Sequence, residues 1–514
     1  MYISILTTKY KNTTYEHTKK NIFPLFQRRD DLTFQKRFLI AYIVLFQYSW
    51  GTITRLSSKY NVSRPFIYEN VKLFSEFLET DKPKTICQSK EEATRFMISA
   101  RLEGKCSIPS ISKLMKRQDT TYNSVGSISQ TLKAIGAKIG NSLNIDHVSG
   151  FTFSICSDEI FSKQTPILIT LDPISLLILR IELSNDRKKD SWVSHFQAIK
   201  SQGISFSQFT SDEGPGMLGA KDVELPEVNR QSDSFHAVAH RLGLFSNRFY
   251  QTACKAIGEE YRLMELANKA KTEKTRNKYL EQYSQAKQES KKAIELYDNF
   301  VFIYHCLLDC FQSFDKYGKL KDVVKVKSDF DAAIDCLKEL NIKSLEKEIT
   351  SIENCKSDLF TFYKTAKEII DALSQAIDNG TLRLLCLAWQ TDKNSIKSKD
   401  TKRTNKLVRR EKYLLNDVKK LTGNEYETIK KIVYEKLDNI VQSSAAVECI
   451  NSLLRFYLNS SKNQVTQEFL NLFMFYHNHR RFTSGKRKGQ TPMEIATESN
   501  NQADWLELLL QKTG

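Results

Sequence analysis

From Glu227 to Thr491 the sequence runs 265 residues without a proline, although nine prolines stand outside it, at 24, 65, 83, 109, 166, 173, 215, 226 and 492. Proline removes a helix hydrogen bond and clashes with the preceding turn, so this stretch, rich in Lys, Glu, Leu and Ala, predicts almost continuous helix. Within Arg262–Tyr297, Leu263, Leu266 and Ala270, then Leu280, Tyr283 and Ala286, recur at three- and four-residue steps, the spacing of one helix face. No repeat of fixed period runs through the stretch, which argues against a solenoid. A chain of 514 residues has room for three or four domains, so the helical block is one part of a larger design.

The front of the chain is helical in shorter pieces and strongly basic. Residues 1–145 hold 23 basic and 11 acidic side chains, whereas residues 146–226 hold 7 and 11. A basic front beside an acidic middle predicts a polyanion-binding module joined to a centre that concentrates carboxylates. Phe34–Ser49, Thr52–Lys59 and Ser63–Glu79 read as helices. Asn61 suits a left-handed turn position and Ser63 an N-cap, which makes a helix-turn-helix arrangement. Ser89–Leu102, Ser107–Met115 and Val125–Asn141 form a second candidate unit, with Lys133 and Lys138 among its basic residues. Ordinary small helical bundles are the alternative for both. The longest apolar run, Phe38–Phe46, is too short to span a bilayer, and the ten cysteines include no Cys-x-x-Cys. The expectation is an intracellular protein, cytoplasmic or nucleoid-associated if prokaryotic, with no membrane partner.

Residues 150–212 change character. Phe151–Cys156, Pro166–Leu171 and Leu176–Leu183 read as antiparallel strands, with Asp172-Pro173 turning between the last two. Ser191–Ser201 reads as a helix and Ile204–Thr210 as a fourth strand. Asp158 and Asp212 then stand at the ends of the first and fourth strands. Paired carboxylates in one cleft suit Mg²⁺, whose charge neutralises theirs, and such sites perform in-line attack at phosphorus. Either Asp alone is equally well a turn or capping residue. A third carboxylate is available at Glu448, where Glu448, Asn451, Ser452 and Arg455 share one helix face.

The set Ser157-Asp158-Glu159, Thr210-Ser211-Asp212, Ser444-x-x-x-Glu448-x-x-Asn451-Ser452-x-x-Arg455 and the tail Tyr476-x-x-His479-Arg480 followed by Thr491-Pro492 resembles DDE transposases of insertion sequences. The resemblance covers most of 150–226 and 440–495. It implies an α+β chain: N-terminal helix-turn-helix units and a ribonuclease-H-like mixed sheet core, interrupted by a large all-α insertion. The limits expected are 1–84 and 85–145 for two DNA-binding domains, 146–232 and 441–514 for the two parts of the core, and 233–440 for the insertion. Asp158, Asp212 and Glu448 would be the catalytic metal ligands, holding two Mg²⁺ ions with Mn²⁺ as a substitute. The partners implied are double-stranded DNA, as element ends and as target, and further copies of the chain in a dimeric or larger synaptic complex. Arg64, Lys72, Lys133, Lys138, Asn451, Arg455, Arg480 and Arg481 are the expected DNA contacts. Asp233 and His236 match an Asp/Cys-x-x-His signature that hAT-like transposases carry before their insertion. The Tyr-x-x-Arg-x-x-x-Glu pattern is missing, since Val441 and Ser444 occupy those places. A structure-selective nuclease on the same core and a catalytically dead DNA-binding regulator are the alternatives.

Other groups carry less. Asp233, His236 and His240 have spacing that could suit zinc, without a further ligand nearby. Cys306 and Cys310, beside His305, read as helix-core residues rather than ligands. Lys393–Lys412, with nine basic and two acidic residues, reads as a loop that either touches the DNA backbone or is simply solvated. Trp389 offers a face for stacking an unpaired base, with packing as the alternative.

Overall fold

The computed structural model describes residues 32–80, 89–118, 120, 122–143, 150–500 and 503–513. The domain limits expected at 84/85 and 145/146 fall outside the described residues. The chain divides into two compact units, residues 1–90 with 115–121, and residues 91–114 with 122–514. In the first unit, α1 (Phe34–Phe46), α2 (Thr52–Tyr60) and α3 (Arg64–Thr80) bury Ile40, Ile53, Leu56, Val62 and Ile67 in one small core. Asn61 closes α2 in the left-handed region at φ 49°, which its short amide tolerates. The Ser63 hydroxyl then accepts the Phe66 N–H and starts α3.

Next come α4 (Lys90–Leu102), α5 (Ile108–Arg117) and α6 (Val125–Ile139), and then a mixed stretch of β1 (Thr152–Ser162), β2 (Thr165–Leu171), β3 (Ile178–Leu183), α7 (Lys189–Lys200), β4 (Ser205–Ser211), α8 (Pro215–Glu224) and β5 (Asn229–Ser232). The strands form one sheet in the order β3-β2-β1-β4-β5. β1, β2 and β3 are antiparallel neighbours, while β4 runs parallel to β1 and β5 parallel to β4. A π-helical turn, Phe235–His240, leads into α9 (Arg241–Lys269), α10 (Glu273–Asp309), α11 (Val323–Glu339), α12 (Lys343–Leu359), α13 (Phe362–Ser374), α14 (Asn379–Lys397), α15 (Thr401–Thr422) and α16 (Tyr426–Leu437). The chain ends with α17 (Ala445–Ser460), α18 (Gln467–His479), α19 (Pro492–Thr497) and α20 (Trp505–Thr513). It is an α+β protein, mostly helical, with one small mixed sheet. No helix among the described residues is long and apolar enough to cross a membrane.

Two large hydrophobic cores lie in the second unit among the described residues. One lies on the sheet and includes Ile155, Leu171, Phe196 and Phe209 with Val447, Ile450 and Leu454 of α17 and Phe473 of α18. The other runs from Ala237 to Ile440 and is made by the helices between β5 and α17. Leu263, Leu307, Leu337, Leu359 and Leu387 are buried as helical spacing suggests, but Phe302 is 71% exposed. Phe300, Ile303 and Leu307 form the inward stripe of α10, and Phe302 falls on the opposite face. The basic run Lys393–Lys412 is mostly helical, broken only at Ser398–Asp400, where Asp400 caps α15 by accepting the Lys402 N–H at 2.8 Å.

α4 and α6 belong with the sheet core. Arg101 donates to Ser461 at 2.7 Å, and the Tyr457 hydroxyl bonds the Leu102 carbonyl. On α6, Gly136 lets α18 approach closely, since a Cβ there would lie 2.0 Å from the Glu468 carbonyl oxygen. Asn471 then donates to the Gly136 carbonyl at 2.9 Å. The apolar face of α6, with Ile128, Leu132 and Ile135, is therefore spent on packing, and Lys133 and Lys138 are both exposed. Lys138 donates to the Thr513 carbonyl at 2.5 Å.

Candidate active site

Sheet register places the two aspartates. β1 and β4 pair in parallel up to Cys156 and Thr210, and two residues further along each chain stand Asp158 and Asp212. Side chains alternate along a strand, so both carboxylates leave the same face. Asp158 is not at the end of its strand, as the sequence suggested. β1 continues to Ser162 on the strength of its pairing with β2, where Asp158 faces Ile169. Only the pairing with β4 has ended.

Asp158 is tightly held. Its Oδ1 accepts the Glu159 N–H at 2.8 Å and its Oδ2 accepts the Asn451 side-chain amide at 2.8 Å. Burial pushes its pKa up to about 7, against the relief given by the Glu159 N–H, and the Asp212 charge raises it further. Asp212 Oδ1 accepts the Gly214 N–H at 3.0 Å. With the Asp212 carboxylate adding to the cost of ionising Asp158, the pair forms a seat short of positive charge. Arg187 stands close enough for the Asp212 carboxylate to favour its charged form, yet its guanidinium is bonded to Glu159 at 2.8 Å. Nothing in the local sequence marked Arg187, which enters through the β3–α7 connection.

Glu448 arrives on α17, one turn before Asn451, so the helix that touches Asp158 also carries the third carboxylate. Its Oε1 accepts from His236 Nε2 at 2.7 Å, and its side chain is 46% exposed. Among the described residues no three His, Cys, Asp or Glu side chains stand together at metal-holding spacing. Asp158 and Asp212 are brought together, with Glu448 turned toward His236 beside them. The donor set nevertheless fits a hard divalent cation: oxygen ligands, an unneutralised pair, and Asn451 Oδ1 buried without a donor next to Asp158.

Asp233 explains why α17 lies where it does. It is 1% exposed, at the end of β5, and its N–H donates to the Ser211 carbonyl at 3.0 Å. Oδ1 accepts the N–H groups of Phe235 and His236 at 2.8 and 3.0 Å. Oδ2 accepts the N–H of Ser444 at 2.8 Å and its hydroxyl as well. Ser234 adds a 3.1 Å bond from its N–H to the Gln442 carbonyl. The two ends of the helical block thus meet at one carboxylate, which starts the π-helical turn carrying His236 and begins the helix carrying Glu448. With both oxygens occupied, Asp233 is no zinc ligand.

Several expected contacts have other duties. Asn451 is buried and bonded to Asp158, so it is an internal partner rather than a DNA contact. Arg481 makes a two-pronged ion pair with Glu494 at 2.8 and 2.9 Å. Glu494 also completes a capping box with Thr491, with Pro492 in the first turn of α19. The Thr-Pro-x-Glu tail therefore has a structural cause. Arg480 lies over the Tyr476 ring at 5.4 Å, while Arg455, Arg64 and Lys72 are exposed. Trp389 is 7% exposed, with its indole N–H on Asp438 at 2.9 Å and Phe314 against its ring, so it is a packing residue with no face for a base. Cys310 is buried and Cys306 exposed. No protein-family model matches the chain, and no curated protein does either.

Proposed function

We propose that the chain is a DNA transposase of the DDE type. The observation that carries this reading is the placement of Asp158 and Asp212 each two residues past the last pair of the parallel β1–β4 ladder, with the Glu448 helix bonded to Asp158 through Asn451. A core of three antiparallel strands followed by a helix and two parallel strands is read as ribonuclease-H-like, and the helices from 233 to 440 as its insertion. α2 and α3, joined by the Asn61 turn, are read as a helix-turn-helix that places Arg64 and Lys72 on DNA. Two Mg²⁺ ions, or Mn²⁺ in their place, would be held by Asp158, Asp212 and Glu448 and would supply activation of the attacking oxygen and stabilisation of the leaving oxygen.

The chain's own residues orient the groups. Asn451 fixes the Asp158 carboxylate, Asp233 fixes the start of α17, and His236 holds Glu448 within reach of the cleft. The reaction class is phosphodiester hydrolysis by water, leaving a 3′-hydroxyl, followed by attack of that hydroxyl on a target phosphodiester. Two element ends must be handled together, so a dimer or larger assembly is the working form.

The test incubates the full chain with supercoiled plasmid and Mg²⁺ and follows nicking, with polymerase extension reporting free 3′-hydroxyl ends. Extendable ends that vanish in the Asp158→Ala, Asp212→Ala, Glu448→Ala triple variant support the reading. Cleavage that survives in the triple variant, or no cleavage with either Mg²⁺ or Mn²⁺, contradicts it.

A further inference from the structure

α15 carries its charges against its own helical interest. Lys402, Arg403, Lys406, Arg409 and Arg410 fall within its first three turns with no acidic residue between them, and all five are exposed. Successive steps of three and four residues put Lys402, Lys406, Arg409 and Tyr413 on one line, with Arg403 and Arg410 flanking it. Like charges at those steps repel, and Lys402 and Arg403 sit in the first turn, where the helix dipole disfavours cations. None of the five makes an ion pair with another described residue. Some cations elsewhere in the helical block are neutralised locally: Arg262 by Glu259, Lys269 by Glu265, Lys338 by Asp335 and Glu353.

We infer that this face of α15 is a second DNA-contacting surface, one that grips the phosphate backbone of a duplex; the inference rests on the transposase reading above. From Lys402 to Arg410 the helix rises about 12 Å, close to the roughly 12 Å width of the major groove, so the two ends of the row reach phosphates on both strands. A membrane-surface helix would keep an apolar face for the lipid. The apolar residues of α15 make no such face: Leu414, Leu415 and Val418 are buried in the helical core, and of its large apolar side chains only Tyr413 and Leu421 are exposed. The contacts go to phosphate, so they add affinity without sequence preference.

The experiment measures binding of a labelled random-sequence duplex to the full chain across a salt series, by fluorescence anisotropy. Changing all five residues to Gln should flatten the slope of log K against log salt by about 4, at ~0.9 per phosphate contact, and weaken binding at least roughly tenfold. A control variant with Lys274, Lys278, Lys287, Lys291 and Lys292 changed to Gln should keep the slope within about 1 of the parent. Thermal unfolding of both variants checks that the fold is kept. If the parent chain binds and cuts DNA but the α15 variant keeps the parental slope, this inference falls while the transposase reading stands. An equal flattening in the control overturns it too, as does selective loss of binding to phosphatidylserine vesicles with unchanged DNA binding. A parent chain that binds no duplex at any salt overturns both readings.

Discussion

Alanine at Asp158, Asp212 or Glu448 is expected to lower strand cleavage at least about a thousandfold, the loss of roughly 4 kcal/mol of transition-state stabilisation. The same substitutions should not unfold the protein, and one should do the reverse. Asp158 is held up to about 7, by burial first and by the Asp212 charge as well. Its folded pKa is raised, so its contribution to stability is fully present below the ordinary carboxylate value and is lost as pH rises through about 7. Asp158→Asn removes that cost while keeping an oxygen for Asn451. In metal-free buffer the variant should be more stable than the parent by on the order of 4 kcal/mol above about pH 7, with the gap growing from about pH 4 and then levelling. Added Mg²⁺ should raise the parent's thermal midpoint and leave that of the variant unchanged. Activity lost while stability is gained separates a site held for chemistry from one held for folding.

Asp233→Ala should have the largest structural effect. The substitution leaves the buried donors of Ser444, Phe235 and His236 without their acceptor, at a cost of roughly 3–5 kcal/mol. The damage should be local to the junction of the helical block and the sheet core. Amide hydrogen exchange at residues 235–240 and 442–448 should accelerate by about a hundredfold or more, with the β1–β2 pairing protected as before. Asp233→Asn keeps one acceptor oxygen and should fall between. Unchanged exchange in Asp233→Ala would show that α17 is positioned by the sheet core alone.

What could be read from the sequence follows from how local each signal is. The absence of proline from 227 to 491 reports on every turn it spans, and past β5 that region is mostly helical. Asn61 and Ser63 fix a turn by their own side chains, so that turn was legible too. β1 was cut short because Ser157-Asp158-Glu159 looks like the polar end of a strand; what extends it is β2, sixteen or fewer residues on but invisible to alternation alone. β5, Asn229–Ser232, has no apolar residue at all and exists because β4 offers an edge. The loop reading of Lys393–Lys412 weighed charge over capping, and Asp400 was the signal that could have corrected it.

At the site, residue types were legible and their partners were not. Asp158 and Asp212 fall beside each other because two strands share a register, which the strand lengths suggested. That Asn451 would serve Asp158, or that Arg481 would be clamped by Glu494, depends on contacts between segments far apart or turned back on themselves. A helix face of Glu448, Asn451 and Arg455 looks the same whether it meets DNA or a neighbouring carboxylate.

The most direct test of the account is a Mn²⁺ titration of the full chain followed by electron paramagnetic resonance, with Mg²⁺ as competitor. The account predicts Mn²⁺ bound by the parent protein and displaced by Mg²⁺, with affinity weakened at least roughly tenfold in Asp158→Asn, Asp212→Asn and Glu448→Gln, each still folded. Equal Mn²⁺ affinity in the parent and all three variants would contradict it.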